Sequence, residues 1–83
     1  MNTLQELAEE YHRRTEEYDR TVCTGPIKDG VILPRHPGEY CLIAANARFV
    51  LKEIMEKAAV SGHSRPEVFD AIRADRYSRR SPQ

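Results

Sequence analysis

"GPIKDGVILPRHPGEY", residues 25–40, decides how this chain is built. It holds three of the five prolines and three of the four glycines in an 83-residue sequence. No helix runs through it. Gly25-Pro26 breaks one, because proline lacks the amide N–H and restricts the residue before it. Asp29-Gly30 is a tight-turn pair, since glycine takes a positive φ at little steric cost. Ile27 precedes that turn and Val31, Ile32 and Leu33 follow it, a pattern that fits a short β-hairpin or a folded-back loop. Pro34 and Pro37 close the segment. It reads as a turn-rich insert between two helices, and helices joined this way fold back on each other as an αα-hairpin.

Upstream, Thr3 and Glu6 have the T-x-x-E spacing of a capping box. Leu4, Ala8, Tyr11, Thr15, Tyr18 and Val22 then recur at steps of four and three, with Leu7 widening the seam. This predicts a first helix over residues 3–20. Downstream, Pro37 suits the first turn of a second helix, and Gly62 suits its stop. Tyr40, Ile43, Ala44, Ala47, Val50, Leu51, Ile54, Met55 and Ala58 form one apolar stripe of that helix. Cys41, Leu42, Ala45 and Phe49 form another. A helix apolar on most faces is buried on most faces. A domain this small cannot cover both stripes from within, so the pattern predicts a homo-oligomer.

Ser64 and Glu67 make a second capping box with Pro66 in its first turn. Val68, Ala71 and Ile72 give a short third helix one apolar edge. From Arg73 to Gln83 the sequence reads as fraying. The expectation is an all-α fold, with residues 1–75 as a single helical domain and residues 76–83 as a flexible basic tail.

The bulk chemistry narrows the function. Lysines plus arginines number 13, and so do aspartates plus glutamates, so no global field draws the chain to nucleic acid or membrane. No apolar run approaches the ~20 residues that span a bilayer, so no membrane role is expected. Two cysteines are too few for a disulfide scaffold, and no signal peptide precedes them, which points to a reduced, cytoplasmic setting. His12, His36 and His63 lie in separate segments, with no H-x-x-x-H or C-x-x-C spacing for zinc. A Cys23–His36 pair lacks an orienting partner and an oxyanion turn. The glycines lack the spacing and the Lys-Ser/Thr ending of a P-loop. The expectation is a protein without catalysis, cofactor or metal.

Two binding chemistries remain. Lys28, Arg35, His36, Tyr40 and Arg48 are placed to converge at one end of the helix pair, beside the N-terminus of the second helix. Cations, an imidazole and a tyrosine ring there suit a phosphorylated ligand with an aromatic base. In the competing arrangement Arg35 and Arg48 pair with Glu39 or Asp29 and Tyr40 joins the core. Alternatively, "KAAVSGHSRPEVFDAI", residues 57–72, has the cadence of a helix-turn-helix, with Arg76, Arg79 and Arg80 available to clamp DNA phosphates. Against that stand His63, where such motifs take an aliphatic residue, and Glu67 and Asp70 on the reading helix.

With "EEYHRRTEEYDRTVCTGP" leading into the turn-rich insert, the chain resembles small accessory proteins encoded by tailed phages and prophages. "HPGEYCLIAANAR" followed by "HSRPE" is similar to a run in the phage sponge proteins, helical homo-oligomers that sequester cyclic oligonucleotide signals of bacterial immunity. The Met-Trp-Ala final helix of those proteins has no counterpart here. The resemblance implies a non-enzymatic counter-defence protein in the cytoplasm of a bacterial host, capturing a nucleotide signal or a host defence protein. It assigns no residue roles. A small DNA-binding regulator and a structural phage adaptor are the alternatives.

Overall fold

The computed structural model describes residues 2–23, 25–28 and 31–80. Its elements are α1 (Leu4–Val22), β1 (Ile27–Lys28), β2 (Val31–Ile32), α2 (Pro37–Val60) and α3 (Arg65–Arg80). The fold is all-α. Both capping boxes form. Thr3 Oγ1 accepts from Glu6 N at 3.1 Å and Glu6 Oε1 from Thr3 N at 2.9 Å. Ser64 Oγ accepts from Glu67 N at 3.4 Å and Glu67 Oε1 from Ser64 N at 2.8 Å. Each box satisfies donors that the first helical turn leaves without partners.

α1 and α2 lie antiparallel, as their side-chain pairs show. Glu10 binds Lys57 Nζ at 2.7 Å, Arg14 pairs with Glu53, and Asp19 Oδ1 accepts from Asn46 Nδ2 at 3.2 Å. Partners of rising number in α1 have falling number in α2. Arg14 also bonds within its own helix. Its guanidinium pKa is raised, first by the bond to Tyr18 Oη at 3.4 Å and then by Glu53.

α2 and α3 touch each other much less than each touches α1. The core is therefore assembled on α1. Leu7 and Ala8 meet Val50, Ile54 and Ala58 of α2 and Val68 and Ile72 of α3, all buried. Leu51 and Met55 pack against that core from its edge and stay half-exposed. The junction between α2 and α3 turns at Gly62, whose φ of 83° lies in the left-handed region that favours glycine.

The third helix is longer than the sequence suggests. The sequence pattern predicts fraying from Arg73, yet the helix continues through Arg80, into residues 76–83 that read as a basic tail. The reason is polar. Asp75 is only 7% exposed. It accepts from Gln5 Nε2 at 3.1 Å across the α1 interface, and from Arg79 Nε at 2.7 Å one turn along its own helix. His12 Nε2 stands 3.7 Å from Asp75 and donates to the Ile72 carbonyl at 2.9 Å. Apolar periodicity cannot register a helix held by such a network. Residues 81–83 lie outside the described residues.

Two outcomes follow from this packing. Leu7→Ala truncates the largest fully buried side chain of the core, and should cost about 2–5 kcal/mol in denaturant unfolding. His12 sets an acid limit. Burial holds its native pKa below the ordinary 6.5, outweighing the Ile72 bond and the Asp75 charge that oppose it; Arg79 and Arg76 push the same way as burial. Above pH 6.5 the ring is neutral folded or unfolded. As pH falls below that value, the unfolded chain takes up a proton the native state resists, and stability declines toward the native pKa. The stability that Glu6, Glu10 and Glu67 add through their lowered pKa is full above their ordinary 4.5 and is lost only below it. Melting temperature should therefore slope downward from about pH 6.5 to 5 in the native protein, and His12→Gln should flatten that slope. A parallel slope in both proteins would contradict the assignment.

Candidate binding surface at the start of α2

The insert is held shut by backbone contact. Leu33 N donates to Pro26 O at 2.8 Å. Ile27 and Lys28 pair antiparallel with Ile32 and Val31. The turn expected at Asp29-Gly30 lies outside the described residues. Ile32 is buried, and β2 packs against α1. The two arms cross so closely at Gly25 that a Cβ there would stand 1.5 Å from the Leu33 carbonyl oxygen. Glycine is the only residue that this approach admits without moving backbone.

The insert delivers the chain to α2 at a fixed place. His36 is the N-cap of α2, with no side-chain cap bond, and Pro37 opens the helix. Glu39 follows in the first turn and is only 8% exposed. Its Oε1 accepts from Arg35 N at 3.1 Å. A buried carboxylate in the first turn answers the positive end of the helix dipole from within the protein. Behind it sits Cys23, the buried C-cap of α1. Burial pushes the Cys23 thiol pKa up, and the charges of Glu39 and Asp19, with a hydrogen bond to Glu39, push it further. This is the environment of an inert structural thiol rather than a nucleophile. The Asp19 carboxyl is raised as well, by burial, with the Asn46 bond opposing.

The five residues singled out from sequence are placed as follows. Lys28 is exposed on β1. Arg35 and His36 are exposed just before and at the cap of α2. Tyr40 is 62% exposed and is not part of the core. Arg48 is exposed two turns further on, about 12 Å along the axis from Tyr40. His36, Tyr40, Ala44 and Arg48 follow at steps of four, so they form one ridge on the helix surface. Arg35, His36 and Tyr40 thus share the helix opening, while Arg48 stands apart from it. Among the described residues, Lys28, Arg48 and the Arg35 guanidinium enter no ion pair.

Two further surfaces escaped the sequence. A shallow groove of about 550 Å³ runs along α2 past Leu51, Met55 and Ala59, rimmed by Arg48, Lys52, Glu56 and Arg65. A second, of about 650 Å³, lies between α1 and α3 and mixes Glu6, Glu9, Glu10, Glu16 and Asp75 with Arg13 and Arg79. Neither is visible in the linear charge pattern, because each collects residues from two helices. Among the described residues no cluster of three or more His, Cys, Asp or Glu side chains could hold a metal ion, and no helix is long and apolar enough to cross a membrane. No protein-family model, curated protein or solved structure matches the chain.

The crossing at Gly25 carries its own test. Gly25→Ala forces backbone apart at Leu33 and should destabilise the protein by about 1–3 kcal/mol, the usual cost of overpacking. Unchanged stability in chemical denaturation would mean that the insert does not need its close crossing.

Proposed function

We propose that this chain is a non-enzymatic binding protein that captures a phosphorylated, aromatic ligand on the exposed opening of α2. The observation that carries this reading is the ridge His36–Tyr40–Ala44–Arg48. It exposes a tyrosine ring and an imidazole at one end and, about 12 Å away, an arginine that pairs with no acid among the described residues, with only an alanine between. A base stacks on the ring while the guanidinium takes a phosphate. Lys28 and Arg35 add positive charge at the same end. The backbone N–H groups of the helix opening are not the anion's main seat, because Glu39 already fills that electrostatic role. Side chains must carry the recognition. In the phage setting that the resemblance implies, the ligand is a nucleotide signal of host immunity, and capture alone suffices for function.

DNA binding through α3 is less well supported. Val68, Ile72 and Asp75 turn inward to α1, while Glu67 and Asp70 stay exposed beside the arginines. Arg73 is tied to Asp70 at 3.5 Å. A duplex phosphate backbone would meet these acids first.

Calorimetric titration against cyclic and linear oligonucleotides, with duplex DNA as a separate arm, tests the reading. Tyr40→Ala, Arg35→Ala and Arg48→Ala should each weaken nucleotide binding by about 1–3 kcal/mol, while unfolding free energy changes by well under that. No binding across the panel, or variants that bind like the native protein, would overturn it. Duplex binding that Arg76→Ala abolishes and Arg48→Ala spares would instead establish the regulator.

A further inference from the structure

The inner and outer flanks of α2 treat charge differently. Facing α1, its charged side chains are matched, Glu53 to Arg14 and Lys57 to Glu10. On the outer flank, Lys52 and Glu56 lie four residues apart on exposed helix. Among the described residues, neither forms an ion pair or hydrogen bond, with the other or elsewhere. They sit within a continuous exposed stripe: Leu42, Ala45, Phe49, Lys52, Glu56 and Ala59. The steps along it alternate three and four, the period that keeps one side of a helix against a neighbouring helix. Its large members are well exposed, Leu42 at 48% and Phe49 at 54%. Phe49 is braced from behind by Tyr18 of α1, ring centroids 6.2 Å apart, so it projects from a supported position.

We propose that residues 49–59 of this stripe pair with the same residues of a second copy of the chain, antiparallel, about a two-fold axis. The order of its residues selects that occupant. A two-fold contact brings one patch against itself, so each contact occurs twice. In an antiparallel register with Lys52 opposite Glu56 of the second copy, Glu56 necessarily faces the second copy's Lys52. The same register sets each Phe49 opposite an Ala59, a large side chain against a small one. A parallel arrangement would place Lys52 beside Lys52 and Glu56 beside Glu56, which repel. An unrelated acidic or basic partner would match only one of the two charges. The inference goes beyond the ligand reading. Arg35, His36 and Tyr40 lie off the stripe and Arg48 borders it, so Tyr40→Ala and Arg35→Ala test the ligand reading independently of association, and either proposal can fail while the other stands.

Sedimentation equilibrium of the full chain, with reductant to keep Cys41 a thiol, tests it. The native protein should associate with rising concentration above its 9.6 kDa monomer mass. Lys52→Glu and Glu56→Lys should each weaken association at least about tenfold, because each puts like charges opposite one another twice. An equimolar mixture of the two variants should recover association to within about threefold of native, since an all-acidic stripe then meets an all-basic one. That rescue would not appear if either substitution acted through the fold of its own chain. A native protein that stays monomeric to about 1 mM, single variants that associate like native, or a mixture as weak as its components would each overturn the proposal.

Discussion

Everything in this molecule leans on Leu7 and Ala8. They occupy adjacent positions on α1, both are buried, and the apolar faces of α2 and α3 both close on the helix that carries them. α2 and α3 have little contact of their own. A three-helix protein in which every pair packs would bury each helix on two sides. Here only α1 is enclosed from two directions, and α2 keeps a whole flank uncovered. The exposed apolar side chains of α2 are a direct consequence of that arrangement. In a chain of 83 residues, such a flank is also a large share of the apolar surface available for burial.

Charge follows the same division. Where α1 and α2 meet, acids and bases find one another, and the α1–α3 interface buries an aspartate only because a glutamine, a histidine and an arginine surround it. Surface ion pairs are individually weak. Their contribution here lies in register: the pairs between α1 and α2 fix which residues of α2 face inward, and so fix which face outward. The function proposed for the opening of α2 and the self-association proposed for its flank both depend on that one rotation of the helix about its axis.

The insert acts first by constraint on the backbone. Gly25 crossing under Leu33, and Ile32 buried at the end of α1, leave the chain one direction in which to enter α2. Glu39 then satisfies the helix opening from inside. In the proposed reading, a ring and several cations remain at the helix opening for an outside molecule, and groups ordered in advance lose less entropy on binding.

Local sequence rules determined much of the architecture. The Gly-Pro break, two capping boxes, the helix-opening Pro37 and the closing Gly62 act over a few residues, and each element they mark is present. The apolar spacing also gave the right inward residues for the middle of α2, Val50, Ile54 and Ala58. Only the tertiary structure decided the rest. Tyr40 shares its helix face with core residues in the sequence, but α1 and α3 leave it uncovered, and it stands in solvent. α3 extends through Arg80 because Gln5 and His12, more than sixty positions earlier, reach Asp75. Glu39, offered by the sequence as a partner for an arginine side chain, is buried and accepts instead from the Arg35 backbone N–H, beside Cys23 at the end of α1. In each case the deciding partner is distant along the chain, and periodicity reports only what neighbours within a few turns can do.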